Sequence, residues 1–199
     1  MQKDKIIQFM KEHHGYARTS DLLKNGISFR DVKKHVQTEQ IEQIKWGLYR
    51  LKDTDSTSTR DFVDICKAIP TAVICLYSAL SHYGLTTFMP TEIMIAIPQG
   101  YHSPKMTYPP FRVFNFSKDQ YKVGIETIHT KAGNYRIYSP EKSVCDAFRF
   151  RRKLGDDTAK EALFTYLDKN DKGFKKLLDA AQVCRMSNVM KPYIEARMA

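Results

Sequence analysis

The sequence has few of the features that mark secreted, membrane-spanning or metal-binding proteins. Its four cysteines form no CxxC pair, and Cys66, Cys75 and Cys145 each lie among apolar neighbours, as reduced core thiols do. The opening segment MQKDKIIQFMKEHH is too polar for a signal peptide, and no apolar run approaches the roughly 18 residues that a membrane helix needs. These absences predict a protein of the reducing cytoplasm that has no membrane partner.

Sequence motifs for catalysis are also missing. There is no nucleophile motif, no Gly-rich phosphate loop and no pair of carboxylates at catalytic spacing. The best candidate for a metal-dependent nuclease is Asp146, which lies in a segment that also carries Glu141 and Arg149. Nucleases usually gather several carboxylates around a metal, whereas Asp146 stands alone on its turn and an ion pair with Arg149 explains it more simply. We therefore expect no enzyme activity, no cofactor and no metal site.

What the sequence does have is positive charge. Lys and Arg number 32 against 22 Asp and Glu, which gives a net charge of +10 and favours an anionic partner, with nucleic acid first and a membrane surface second. Residues 1–60 carry 12 basic and 8 acidic side chains, net +4, and residues 61–199 carry 20 and 14, net +6. Because residues 53–60 contain no hydrophobic residue, they predict a linker between domains at 1–56 and 57–199.

The stretch from Gly15 to Leu51 predicts two helices followed by a hairpin. Thr19 or Ser20 is suited to cap the first helix, and Gly26 follows its end, where a left-handed residue is favoured. Ser28 caps the second helix, which is about ten residues long and ends near Gln37 or Thr38. The segments IEQIK and LYRL then flank a Trp-Gly turn, with a bulge expected between Ile41 and Ile44. Two short helices and a hairpin are the order of a winged helix-turn-helix.

The second helix of this stretch has one apolar stripe and one basic face. At about 100° per residue, Phe29, Val32 and Val36 cluster together, and the opposite side is rich in Arg, Lys, Gln and Thr. Such side chains bond to base edges and phosphates, although a solvated surface helix looks the same in isolation. The predicted groove-facing residues are Arg30, Lys34, Gln37 and Thr38. The predicted phosphate contacts are Thr19, Ser20, Lys33, Lys45 and Arg50, and Ser28 and Trp46 complete the candidate DNA-binding set.

Two features of the basic surface have alternative interpretations. Trp46 and Lys45 lie at the predicted hairpin tip, where they could reach a phosphate or the minor groove, but Trp46 could equally fold back onto the helices as part of the core. A second run of cations, at Arg149, Arg151, Arg152 and Lys153, could form another binding surface. The same run suits the C-terminus of a helix, where the helix dipole favours positive charge.

The remainder of the chain predicts a small sheet followed by helices. Four segments rich in Ile, Val, Tyr and Phe lie within residues 91–139, separated by Pro, Gly and Asn. The sequence Ser139-Pro140-Glu141 is a strong helix start, and this helix is expected to continue to Gly155. Three further helices follow, the last kinked or broken at Pro192. The predicted fold class is α+β, an N-terminal winged helix-turn-helix followed by a domain with a small sheet and a helical tail.

Several of these segments together resemble a known family. The order DLLKNGIS, WGLYRL, SALSHYGL, IAIP, GIE and YRIYSPEKSVCDAFRFRRKLGDDTAKEALFTYL is similar to the AbiEi antitoxin family of bacterial toxin–antitoxin systems and extends over nearly the whole chain. Its most specific parts are the SAL…GL helix and the YSPEKSVCDAFRFRRKLG block. The family commonly has Thr in place of Ser143.

This resemblance implies a transcriptional repressor that autoregulates its own operon by binding double-stranded DNA at promoter repeats. It also implies a C-terminal domain that counteracts a nucleotidyltransferase-like toxin, AbiEii, without a stable complex, in the setting of phage resistance by abortive infection. We expect a monomer in solution with more than one copy on DNA. The alternative is a basic protein-interaction module that does not bind DNA sequence-specifically.

Overall fold

A computed structural model describes residues 2–52, 58–104, 106, 108–169 and 173–198. Helices and two separate sheets make the fold a mixture of α and β structure. The chain forms two compact units. The first comprises residues 1–70, 104–110 and 129–134, and the second comprises residues 71–103, 111–128 and 135–199.

The expected boundary between residues 56 and 57 lies outside the described residues. The first unit extends to Pro70, and residues 58–60, which were expected to belong to a linker, begin a helix instead. The sequence TRDFVDICKA after the polar stretch explains this helix, because its apolar residues recur at helical spacing and become buried at Phe62, Val63 and Ile65.

The first unit contains four helices and a three-stranded antiparallel sheet in its described part. Its elements are α1 (Gln2–Glu12), β1 (Tyr16–Arg18), α2 (Thr19–Lys24), α3 (Phe29–Gln37), β2 (Ile41–Lys45), β3 (Leu48–Leu51) and α4 (Ser58–Ala68). The strand order is β1-β3-β2. Strand β1 was not expected from the sequence, because three residues are too few to show an alternating pattern. Its Tyr16 pairs with Arg50 of the hairpin.

Turn and cap residues position α2 and α3. Gly26 has a φ of +73°, the left-handed conformation expected after a helix, and it ends α2. Ser28 then accepts a hydrogen bond from the backbone N–H of Asp31, as expected for an N-cap. The start of α2 differs from expectation, since its N-cap is Arg18 and makes no side-chain cap bond. Backbone pairing between Thr19 N–H and the Gly47 carbonyl, at 3.0 Å, fixes that end instead.

The second unit is built around a five-stranded sheet. Its elements are β4 (Val73–Ile74), α5 (Leu76–His82), β5 (Ile93–Pro98), β6 (Phe111–Phe116), α6 (Lys118–Lys122), β7 (Ile125–Thr130), β8 (Gly133–Tyr138), α7 (Pro140–Arg149), α8 (Arg151–Leu154), α9 (Asp156–Lys169), α10 (Phe174–Val183) and α11 (Ser187–Met198). The strand order is β6-β5-β4-β8-β7. The two-residue strand β4 occupies the centre of this order. It is antiparallel to β5 and parallel to β8.

Helix α7 is the centre of the second unit. It packs against α5, α9 and α10, and every residue from Lys142 to Phe148 is buried. Ser139 caps it and Pro140 occupies its first turn, as expected. The helix ends at Arg149 rather than at Gly155, and α8 follows as a separate turn. The kink or break expected at Pro192 is not a break, because α11 runs continuously through this residue.

Candidate functional site

The outer face of α3 is an exposed basic surface of the first unit. Arg30, Lys33, Lys34 and Gln37 are exposed along this helix, whose opposite side carries the buried Val32. Because Lys34 and Gln37 follow Arg30 and Lys33 by four residues each, the four side chains form two adjacent rows on one face. This face therefore presents three cations and one amide to solvent.

Among the described residues, the three cations of this face make no ion pair, whereas Arg50 and Lys52 of the same unit do. Within the described ranges, no carboxylate lies within ion-pair distance of Arg30, Lys33 or Lys34. By contrast, Arg50 pairs with two carboxylates, and Lys52 pairs with Glu39 at 2.6 Å. A cation without an acidic neighbour is available to an anionic ligand without first breaking a bond.

The buried side of α3 is not the stripe that the sequence predicted. Val32 is buried and Val36 half-buried, as expected, but Phe29 is 50 % exposed. His35 takes its place in the core, with Nδ1 at 2.7 Å from the Asp31 carbonyl oxygen. At about 100° per residue His35 falls on the flank of the basic face, and the structure buries this border position.

Two hydroxyl groups of the candidate set are used to cap α3. The Ser28 hydroxyl donates to the Asp31 carboxylate at 2.7 Å, and it also accepts from the Asp31 backbone N–H. The Thr38 hydroxyl donates to the Lys34 carbonyl at 3.1 Å at the opposite end. These bonds satisfy helix termini, so both side chains hold the helix in place.

Thr19 and Ser20 lie at the start of α2. Thr19 is half-buried beside the hairpin turn, with its backbone bonded to Gly47. Ser20 is exposed, and its hydroxyl donates to the Asp21 carboxylate at 3.2 Å. Of the two, only Ser20 is exposed.

The hairpin between β2 and β3 projects an indole into solvent. Trp46 is 91 % exposed, which answers the question that the sequence left open between a hairpin tip and a core position. Gly47 follows with a φ of +75°, and the strand register shifts at Ile44, within the region where a bulge was expected. An exposed tryptophan forfeits its large hydrophobic burial, so this position offers an aromatic surface to a partner.

Lys45 is directed towards the first unit's own backbone. Its ammonium donates to the carbonyl of Ala68 at 2.6 Å, and Arg18 donates to the neighbouring Lys67 carbonyl at 3.2 Å. Both carbonyls are at the C-terminus of α4, where the helix dipole favours cations. Burial, with a smaller contribution from Arg18, lowers the pKa of Lys45. Lys45 is thus engaged in capping α4.

Arg50 does not occupy the surface position expected of a phosphate contact. Its guanidinium is buried and donates to the carboxylates of Asp64 and Glu42. Tyr16 donates its hydroxyl to the other oxygen of Asp64 at 2.6 Å. Burial raises the pKa of Asp64 to about 6, although the bond from Tyr16 and the charge of Arg50 both oppose it. The strand places Arg50 inward because it faces Tyr16 of β1, a strand that the sequence did not reveal.

The run of cations at the end of α7 is partly structural. Arg149 donates to the Cys184 carbonyl, and Arg151 donates to the Phe148 carbonyl at 2.7 Å. Arg152 and Lys153 are exposed. The helix-terminus explanation therefore accounts for the first two residues, whereas the last two remain available to a ligand.

A buried ion pair explains Asp146, the candidate nuclease residue. Its carboxylate lies 2.5 Å from the Lys142 ammonium and has no exposed surface. The expected partner Arg149 is farther away, at 3.9 Å. Burial raises the pKa of Asp146 and the charge of Lys142 opposes this effect. The Lys142 ammonium also lies 4.8 Å from the centre of the Tyr138 ring and 5.1 Å from that of Phe116, a cation–π environment.

Comparison with known proteins assigns no family, because no family model matches the chain and no curated protein matches it. No helix among the described residues has the length and apolar character required to cross a membrane. Over the same residues, no group of three or more His, Cys, Asp or Glu side chains is arranged to hold a metal ion.

Proposed function

We propose that the first unit is a winged helix-turn-helix that binds double-stranded DNA through the outer face of α3. The observation that carries this proposal is the set of three cations, Arg30, Lys33 and Lys34, that are exposed without acidic partners, together with Gln37. An α-helix with its side chains is about 10–12 Å across, which fits the major groove, about 12 Å wide.

The four side chains have different roles in this proposal. Arg30 and Gln37 carry planar groups that form paired hydrogen bonds with guanine and adenine edges, respectively. Lys33 lies on the flank and contacts phosphate. Lys34 reaches a base edge or a phosphate. Trp46, at the tip of the hairpin, is the part of the wing that contacts the adjacent sugar–phosphate backbone or minor groove. Arg50 and Lys45 contribute indirectly by holding the hairpin against α4.

The biological role that we propose follows from the resemblance to AbiEi antitoxins. The chain is an autorepressor that binds repeats in its own promoter, several copies at a time, in the cytoplasm. Its second unit counteracts a nucleotidyltransferase-like toxin without forming a stable complex with it, and the chain itself has no enzyme activity. The distinctive YSPEKSVCDAFRFRRKLG block forms α7 and α8, the centre of the second unit, which supports a role of this segment in folding that unit.

A gel-shift titration on the DNA upstream of the gene tests this proposal. Arg30→Ala should weaken binding to the promoter by about 1–3 kcal/mol and leave binding to random DNA nearly unchanged. Lys33→Ala should weaken both alike and reduce the salt dependence. Lys122→Ala, which removes an exposed lysine of the second unit, is the matched control and should have no effect. Absence of salt-sensitive binding by the wild type would refute the proposal.

A protein-docking function for the same unit is the second candidate. Leu23 at the end of α2 and Phe29 at the start of α3 are each about half exposed, and exposed apolar side chains favour a protein partner. A stoichiometric complex in a pull-down, together with no gel shift, would favour docking over DNA binding. Replacing Phe29 with Ser should then weaken the complex, whereas Arg30→Ala should matter less.

A further inference from the structure

A cavity of about 580 Å³ lies in the second unit, beside the two strands at one edge of the sheet. Its lining includes four aromatic side chains, Tyr77, Phe88, Phe114 and Phe150. The volume is within the range of about 300–1,000 Å³ that small-molecule sites occupy. Nothing in the DNA-binding proposal uses this cavity, and the inference below does not rest on that proposal.

The aromatic walls are held in place by their own contacts. The rings of Tyr77 and Phe88 lie 4.4 Å apart, and the Tyr77 hydroxyl is fixed by the Leu154 carbonyl and lies 3.0 Å from the Thr158 hydroxyl. Phe150 meets Phe114 edge to face at 5.7 Å. Walls that are already ordered do not lose side-chain entropy when a ligand binds, so this site is preorganised.

The charged groups of the cavity favour an anion. Lys153 is exposed, its ammonium lies 5.9 Å from the centre of the Phe150 ring, and no described carboxylate pairs with it. Arg112 pairs with Glu92 at 2.9 Å, but its side chain is 61 % exposed and can reach a second partner. Because Glu92 is the one acidic residue in the lining, the two cations leave a net positive charge.

We propose that this cavity binds a mononucleotide. A planar base fits against aromatic rings, where stacking on each base is favourable and tolerant of base identity. The phosphate then meets Lys153 and Arg112, whose guanidinium suits paired hydrogen bonds to phosphate oxygens. An apolar ligand would leave both cations unused, and a simple anion would leave the aromatic walls unused. A nucleotide combines the two chemistries that the lining offers.

Isothermal titration calorimetry on the full chain with AMP, GMP and UMP tests the proposal. We expect AMP to bind, and adenosine or inorganic phosphate alone to bind at least about tenfold more weakly, since each makes only half of the contacts. Lys153→Gln should weaken AMP binding about tenfold through loss of a charge-assisted bond. Phe114→Leu, which keeps an apolar wall but removes the ring, should weaken AMP more than inorganic phosphate, and unchanged circular dichroism would show that the variant is folded.

Two control variants locate the site. Lys122→Gln removes an exposed lysine elsewhere in the second unit, and Lys34→Gln removes a cation of the α3 face; neither should change AMP affinity. The proposal is overturned if no mononucleotide binds at millimolar concentration, or if Lys153→Gln binds AMP as the wild type does. It is also overturned if Lys34→Gln weakens AMP as much as Lys153→Gln, because the nucleotide would then occupy the DNA-binding face.

Discussion

Replacing Arg50 with Met tests whether its guanidinium belongs to the interior of the first unit or to a DNA interface. The Arg50 side chain is 10 % exposed and that of Asp64 is fully buried. Because the pKa of Asp64 is raised to about 6, its carboxyl is mostly ionised at pH 7 and needs the cation. Without Arg50, Asp64 is protonated in the folded state. Protonating Asp64 at pH 7, one unit above its wild-type pKa of about 6, costs about 1.4 kcal/mol.

The hydrogen bonds that Arg50 makes add to this cost. Loss of those to Asp64 and Glu42 contributes about 1–3 kcal/mol, near the lower end for Glu42 because that side chain is 40 % exposed. We therefore expect Arg50→Met to destabilise the first unit by about 2–4 kcal/mol at pH 7. At pH 5 the wild-type Asp64 already holds its proton, so the cost should be smaller by about 1.4 kcal/mol, a tenfold change in an equilibrium constant.

The sign of the wild-type pH dependence follows from the same group. The folded pKa of Asp64 lies above its ordinary value of 3.8, so the folded state binds the proton more tightly than the unfolded state. The contribution of Asp64 to stability is complete below about pH 4 and is lost as the pH rises through about 6. Relative to Asp64→Asn, the wild type should lose up to about 3 kcal/mol across this window.

Hydrogen exchange followed by mass spectrometry measures these effects in the first unit alone. Protection of peptides covering β1 and β3 is compared at pH 5 and pH 7 after correction for intrinsic exchange rates. Arg30→Met is the matched control, since Arg30 is exposed without an ion pair, and it should change stability by less than about 0.5 kcal/mol. Equal protection in Arg50→Met and Arg30→Met, or a cost of Arg50→Met that is the same at both pH values, would refute the reasoning.

Three further predictions concern stability and the hairpin tip. Lys142→Met should lower the free energy of unfolding by about 3–5 kcal/mol, seen as a fall in Tm, because Asp146 loses its buried counter-charge. Adding Asp146→Leu should recover most of that stability. An unchanged Tm in Lys142→Met alone would contradict this prediction. Gly124→Ala should be more destabilising than Gly26→Ala. Both glycines have a positive φ, but only at Gly124 would the new Cβ lie 2.7 Å from the Lys142 Cβ. Equal denaturant midpoints for the two variants would argue against that contact. Trp46 is the single tryptophan of the chain, so the fluorescence of the protein should be that of a solvated indole. Promoter DNA should quench this fluorescence in a salt-sensitive way. An unchanged spectrum under saturating DNA would show that Trp46 does not contact the DNA.

Local sequence signals predicted much of the first unit. Gly26 and Ser28 end α2 and begin α3 for reasons that depend on near neighbours, namely a left-handed backbone and a cap bond. Whether Arg50 faces the interior or solvent could not be predicted in the same way. It depends on β1, which comes from more than thirty residues earlier in the chain. Alternation along LYRL gives the relative facing of neighbours but does not say which face another strand will cover.

The second unit shows the same limit at its centre. Lys142 and Asp146 stand four residues apart, a spacing that the sequence displays openly and that surface helices use constantly. Their burial results from packing on all sides of α7, which no periodicity within that helix reveals. The short strand β4 is similar, since only pairing with β5 and β8 defines two apolar residues as the middle of a sheet.

The salt dependence of DNA binding decides how much of the net charge takes part in it. If Lys33 and Lys34 supply the phosphate contacts of each copy, the slope of log K against log salt should be about −1.8 per copy. Two copies on a pair of repeats should give about −3.6. The residues beyond Arg60 carry a net charge of +6, including the exposed Arg152. A slope much steeper than about −0.9 for each of these two lysines, and reduced by Arg152→Gln, would place DNA on the second unit as well. A slope that responds to Lys33→Ala and not to Arg152→Gln would instead confine the interface to α3 and its hairpin, leaving the remaining positive charge to other ligands.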